Sequence, residues 1–363
     1  MKNKVLVTGA AGFIGAALIG ILVKHGYEII GIDNLNNYYD PRLKIARLAN
    51  YGIFPKDKAC IETVIPEIGF DNKISFESFV YGQPVRSCIY PNLIFIRMDI
   101  SDKDMLPDLF SSQKFDYVIN LAAQAGVRYS ILNPWAYVES NIIGFLNVLE
   151  CCRHHPIKHF VYASSSSVYG MNDEAPFHEY DNVDRPVSMY AATKKSDELM
   201  AFSYSKLYGI RATGLRYFTV YGPWGRPDMA PMLFANAISS QKPINVFNNG
   251  DLIRDFTYID DIVNGTMLVM ESQPLIANED VQSKVYNIGC SRPVKLMDFV
   301  SLLERALGKK AEINYLPMQS GDVYMTSADT TLLETEVGYK ACVDINLGIK
   351  RFADWYKCYY NLK

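Results

Sequence analysis

The chain has 363 residues, 49% hydrophobic and 21% charged, with a formal net charge of −3. That is the composition of an ordinary soluble globular protein with room for two lobes. The absence of a Lys/Arg block excludes nucleic acid or an anionic membrane as the main partner, and no apolar stretch approaches the roughly 20 residues needed to cross a bilayer.

Seven cysteines lie scattered without C-x-x-C spacing. Reduced thiols in a cytoplasmic protein are expected, with neither a disulfide framework nor a metal site. The first strand begins at Lys4, so no signal peptide is expected.

Val5 to Val7 read as a buried parallel strand, and Phe13, Ile14, Ala17, Leu18 and Leu22 give the next segment a helical apolar face. Between them stand Gly9, Gly12 and Gly15. Gly9 permits a tight turn, Gly12 lets the backbone approach a pyrophosphate, and Gly15 allows close helix–strand packing. The helix N-terminus supplies free N–H groups for phosphates. A second apolar run, Glu28–Ile32, ends in Asp33, near the spacing of about 20 residues typical of the acid that holds an adenosine ribose. A carboxylate there accepts from the ribose hydroxyls and repels a 2′-phosphate, which favours NAD over NADP. A dinucleotide site is expected.

Strands are predicted near 4–8, 28–33, 93–98, 117–121, 158–163 and 211–217, with helices near 13–25, 102–112, 134–154 and 188–208. This alternation is βαβ logic and predicts a doubly wound parallel sheet over 1–217. Residues 50–91 break the rhythm as a polar and aromatic insertion without a period. Past Tyr217, short strands (245–247, 256–258, 285–288) mix with helices near 260–271, 295–307 and 346–359. They predict a smaller α/β substrate lobe over 218–363, with some return segments, covering the carboxyl edge of the sheet.

Tyr190 and Lys194 stand at i,i+4 near the start of a predicted helix, so phenol and ammonium share one face. The ammonium favours the phenolate. Upstream, Ser164 to Ser167 follow an apolar strand and offer hydroxyls to a sugar oxygen and its developing carbonyl.

The glycine rhythm, Asp33, the Ser164–Gly170 segment and Tyr190-x-x-x-Lys194, in that order, resemble the extended short-chain dehydrogenase/reductase superfamily. The resemblance covers nearly the whole chain except 50–91. It implies Tyr190 as acid/base, Lys194 as its partner and a ligand of the nicotinamide ribose, and Ser165 polarising the reacting oxygen. It places the cofactor against Gly9, Gly12, Phe13, Ile14, Gly15, Asp33, Asn34 and Asn36. Asp99 and Ile100 would lie beside adenine, Leu121, Ala122 and Ala123 along the cofactor, and Asn141 on a bordering helix. A homodimer is implied through helices 134–154 and 188–208.

Three sugar chemistries share this scaffold. Dehydratases carry Asp-Glu, and the decarboxylase subfamily a Glu, where this chain has Ser166 and Ser167. Hydroxyls are poor general acids near neutrality, which leaves 4-epimerisation. Galactose-type epimerases typically have Asn at Thr219. The stretch from Thr219 through Arg226 to Met229, with 33–40 and 123–130 (including Arg128), looks like UDP-glucuronate 4-epimerases. Ser166, Ser167, Thr219 and Arg226 would then offer a sugar carboxylate hydroxyls and a cation. Arg254 resembles the arginine brought to the UDP diphosphate, and Gln319 to Asp322 the segment closing over uridine, with Asp322 on its ribose. Epimerases of neutral or N-acetylated UDP-hexoses, a plain alcohol dehydrogenase and an inactive NAD-binding sensor stay open as rivals.

Overall fold

The computed structural model describes residues 3–55, 79–172, 174–272, 281–318 and 323–362. Val5, Leu6 and Val7 are fully buried in β1 (Lys4–Thr8), as suits a strand covered on both faces. Next come α1 (Phe13–Lys24) and β2 (Glu28–Asp33), which pairs in parallel with β1.

A helix absent from the sequence expectation follows, α2 (Pro41–Ala49). Asp40 caps it by accepting from the Arg42 N–H, and Pro41 occupies its first turn, where no backbone donor is needed. The inserted stretch ends in an antiparallel edge strand, β3 (Pro84–Arg86), laid on β4 (Leu93–Arg97). Most of the insertion, 56–78, lies outside the described residues.

Then follow α3 (Met105–Gln113), β5 (Tyr117–Asn120), α4 (Val127–Leu132), α5 (Pro134–Tyr137) and α6 (Gly144–His154). A π-helical turn, Val138–Ile143, joins α5 to α6, so the helix expected over 134–154 carries a bulge in its middle. β6 (His159–Ser165), α7 (Met189–Tyr208) and β7 (Ala212–Tyr217) complete the alternation.

The sheet has eight strands in the order Ser283–Ile288, β7, β6, β5, β1, β2, β4, β3. All neighbours but β3 and β4 run parallel. The chain winds outward in both directions from β1, so a crevice opens where β1 and β5 part at their carboxyl ends. Thr8 bridges that parting: its Oγ donates to Asn120 Oδ1 (2.6 Å) and accepts from the Ala122 N–H (3.0 Å).

Strand Ser283–Ile288, foreseen in the later half, joins the main sheet beside β7, and helix Ile259–Glu271 packs on α1. Above the crevice, β8 (Thr219–Tyr221) pairs with Phe256–Tyr258, and Ile244–Val246 pairs with Ile313–Tyr315. Phe256 stacks on Phe299 at 4.3 Å between ring centroids, anchoring helix Leu296–Leu307. Among the described residues, no helix is long and apolar enough to cross a membrane.

Candidate active site

A cleft of about 960 Å³ runs along the carboxyl edge of the sheet, under the upper lobe. Its floor is the glycine turn. Gly9 has φ +68°, a conformation that favours glycine, and its carbonyl accepts from the Gly12 N–H at 2.9 Å. A Cβ on Gly15 would stand 2.1 Å from that carbonyl oxygen, so α1 rests directly on the turn. Gly12 caps α1 without any side-chain hydrogen bond, and no acid stands in the first turn. The N–H groups there are left for a bound anion.

Asp33 ends β2 at 7% exposure. It accepts from the Ala11 N–H at 3.2 Å and the Leu35 N–H at 2.8 Å. The Lys44 ammonium, on α2, lies 3.4 Å from Asp33 and 3.0 Å from Asn36 Oδ1, offsetting part of the acid's charge. Asn34 donates to Asp99 at 2.7 Å, tying the ends of β2 and β4 together. Gly9, Gly12, Phe13, Ile14, Gly15, Asp33, Asn34, Asn36, Asp99, Ile100, Leu121, Ala122 and Ala123 all line this half.

Asn141 does not. It is buried behind the wall, in the π turn, where its amide accepts from the Gln124 N–H and donates to the Gln124 carbonyl and Thr193 Oγ. Its amide ties the Gln124 backbone to α7 from behind the cleft wall.

The other half carries Ser164 to Ser167, Tyr190 and Lys194. Ser188 caps α7 by accepting from the Ala191 N–H, which places Tyr190 in the first turn. Lys194 lies one turn on, its Nζ donating to the Ala163 carbonyl (2.9 Å) and to Asp197 (3.0 Å). The Tyr190 ring meets Tyr137 edge-to-face at 6.0 Å, and the Tyr137 hydroxyl donates to the Gly126 carbonyl.

The serines divide. Ser164 turns back to donate to Glu198 (2.7 Å), itself gripped by both arms of the Arg216 guanidinium. Ser165 Oγ accepts from the Ser167 N–H and lies 3.1 Å from Ser167 Oγ, at the cleft wall.

From the upper lobe, Thr219, Arg226, Asp228 and Arg254 line the cleft. Arg226 is not a free cation: its Nε and Nη2 both donate to Asp228. Asp228 also accepts from the Tyr38 hydroxyl at 3.0 Å. Burial and the Asp228 charge push the Tyr38 phenol up to about 12. Arg128 is exposed at the mouth, its guanidinium 4.9 Å from the centre of the Phe247 ring. Arg254 donates to the carbonyls of Ile253, Val323 and Tyr324, holding the chain that leads out of the 319–322 segment. Gln319 and Asp322 lie outside the described residues.

Residues 5–289 match the NAD dependent epimerase/dehydratase family. The chain belongs to this family.

As a member of it, the chain is 43% identical to the protein CapI of Staphylococcus aureus, over 98% of this chain and 99% of CapI. It is also 43% identical to UDP-glucuronate 4-epimerase 4 of Arabidopsis thaliana, over 98% of this chain and 76% of that protein. The crystal structure of the UDP-glucuronic acid 4-epimerase of Bacillus cereus, in complex with UDP-glucuronic acid and NAD, superposes with a TM-score of 0.79 at 32% identity. That match covers 98% of this chain and 99% of the other.

Tyr38, Lys44, Gln124 and Asp228 also line the cleft without having been singled out from sequence. Tyr38 and Lys44 sit in or just after the 33–40 stretch, and Asp228 two residues past Arg226. Their signal was proximity to motif residues.

Proposed function

We propose that the chain is an NAD-dependent 4-epimerase that interconverts UDP-glucuronate and UDP-galacturonate through a transient 4-keto sugar. One observation carries this reading. Tyr190, Lys194 and Ser165 stand in the same cleft as the uncapped glycine turn, under an upper lobe that presents Thr219 and the Arg226–Asp228 pair. The likeness to UDP-glucuronate 4-epimerases over nearly the whole chain supports it.

The residues fit the dinucleotide. The first turn of α1 offers unshared N–H groups to a diphosphate, and the buried Asp33 carboxylate suits ribose hydroxyls. Leu121, Ala122 and Ala123 would flank the remainder. When bound there, NAD would supply a hydride acceptor for C4 of the sugar and a donor for its opposite face.

Around that exchange the chain moves one proton and holds one oxygen. Tyr190 takes the O4 proton on its phenolate oxygen and later returns it. Lys194, fixed by the Ala163 carbonyl and Asp197, supplies the positive field that favours the phenolate. Ser165 donates to the developing carbonyl, its hydroxyl oriented by the Ser167 N–H. Between the two half-reactions the keto sugar turns about its diphosphate link, anchored by Arg254 and Asp322. Thr219, Ser166 and Ser167 offer hydroxyls to the sugar carboxylate, with the Arg226 fork beside them, and Arg128 adds a cation at the mouth.

The protein is proposed to act in the cytoplasm as a homodimer. Half-exposed Leu199 and Phe202 on α7, with Leu146 on α6, support the latter.

The test is turnover with purified protein on UDP-glucuronate, UDP-glucose and UDP-N-acetylglucosamine, beside Tyr190→Phe. UDP-glucuronate should be preferred, and the variant should lose about 10²–10⁴-fold in turnover while still binding nucleotide sugar. Near-normal activity in Tyr190→Phe would falsify the mechanism, and preference for a neutral sugar would move the assignment to that substrate.

A further inference from the structure

Asp197 enters the mechanism only as a group that fixes Lys194. It is 0% exposed, one turn along α7 from the lysine, and its Oδ2 accepts from Lys194 Nζ at 3.0 Å. Its other oxygen, Oδ1, is buried with no hydrogen-bond partner, as is the Tyr162 hydroxyl on β6. A purely structural carboxylate at full burial is ordinarily bonded at both oxygens, as Asp255 is by the N–H groups of Cys290, Ser291 and Ala328. Asp197 instead accepts from Lys194 at one oxygen and leaves the other without a partner.

We propose that Asp197 is a positioning residue that anchors Lys194 and sets the net charge the lysine presents to Tyr190. The proposal rests on Tyr190 and Lys194 acting as proposed above. When Asp197 is ionised, the lysine–carboxylate pair is close to neutral, and the field favouring the Tyr190 phenolate is weakened. When Asp197 is protonated, the anchor remains and the lysine acts as a full cation.

The surroundings allow both forms near neutrality. Burial pushes the Asp197 carboxyl up to about 7, against the attraction of Lys194 and with repulsion from Glu198. Glu198 is matched by Arg216 on β7 and by Lys195, at 3.5 Å. Tyr162 faces the corner from β6, its phenol pushed well up by burial and then by Glu198 and Asp197. From the 138–154 segment come the buried thiols of Cys151 and Cys152, both pushed up by burial, and Glu150, which accepts from Tyr204 on α7. Further titratable groups on elements packed against the helix are Arg128 and Tyr129 on α4, Tyr137 on α5, Glu139 in the π turn, Arg153 and His154 on α6, His159 on β6, Tyr169 before α7, Tyr217 on β7, and Lys284 and Tyr286 on strand Ser283–Ile288.

The experiment compares Asp197→Asn with Asp197→Ala in the full-length protein, across pH. Asparagine keeps an acceptor for Lys194 and removes the charge. Its acid limb of kcat/KM should move down by about one pH unit. Alanine removes the anchor as well and should lower kcat about tenfold or more with little change in KM. A carbon-13 spectrum of aspartate-labelled parent protein gives a readout independent of turnover. One carboxyl should titrate near neutrality, and its signal should vanish in whichever variant folds.

A pH profile of Asp197→Asn that superposes on the parent overturns the proposal. So does a parent spectrum in which every aspartate carboxyl titrates in the acid range. Activity surviving in Tyr190→Phe would instead remove the underlying mechanism, so the two failures are told apart.

Discussion

Arg226 meets the cleft as half of an ion pair, because Asp228 takes two of its guanidinium donors. The cation expected for the sugar carboxylate therefore arrives largely neutralised and geometrically fixed. Fixing matters for the proposed substrate. A 4-keto uronate is a β-keto acid and loses CO₂ when the carboxylate C–C bond aligns with the carbonyl π system. A fork pinned by Asp228, which Tyr38 holds in turn, would give the proposed carboxylate a rigid donor that keeps this bond out of alignment. Arg226→Ala removes the donor and leaves Asp228 to repel the acid. At about 1.5–3 kcal/mol for a charge-assisted bond, UDP-glucuronate use should fall by about tenfold or more. UDP-glucose should be far less affected, and some keto-pentose should appear by mass spectrometry. Equal losses on acid and neutral sugars would take the carboxylate away from Arg226.

The element that organises the site most directly is the turn into α1. Gly15 sits where a Cβ would be driven onto the Gly9 carbonyl, a backbone atom that cannot step aside. Gly15→Ala should therefore lower stability by about 1–3 kcal/mol, read as a drop in the thermal midpoint. NAD affinity should weaken about tenfold or more in a fluorescence titration, since the turn proposed to face the diphosphate must open. An unchanged midpoint and affinity would show that the turn tolerates the side chain. The helix α2 shows the opposite side of legibility. Its start was written in Asp40-Pro41, yet its buried face includes Lys44 and Arg47, which break any apolar stripe. Arg47 is buried because its guanidinium donates to the carbonyls of Ala11, Trp224 and Gly225 and to the Tyr39 hydroxyl. All but Tyr39 come from two distant stretches of chain, and no local pattern announces them.

At the scale of the whole molecule, the outer face of α6 and α7 presents side chains that the single chain does not cover. Leu199 is 57% and Phe202 52% exposed, with Ile143 and Leu146 beside the same helix pair. A second copy packed there would bury them. Phe202→Glu should convert a dimer to a monomer in sedimentation or light scattering, with the cofactor site intact. A parent protein that is monomeric at micromolar concentration would end the dimer proposal.

The local signals in this chain were those that short-range chemistry dictates. Glycines spaced by three, an acid closing the second strand, and a tyrosine and lysine one helical turn apart each act through their own neighbourhood, so the doubly wound sheet and the floor of the cleft could be read directly. Tertiary structure decided the rest, for three physical reasons. Arg226 acquired a partner two residues away only because the turn after β8 folds Asp228 onto its fork. Asn141 was drawn behind the wall because the π turn aims its amide at the Gln124 backbone. Strand Ser283–Ile288 left its apparent lobe because the open edge of β7 had unpaired backbone groups to satisfy, and pairing across a long sequence separation leaves no mark in the residues themselves.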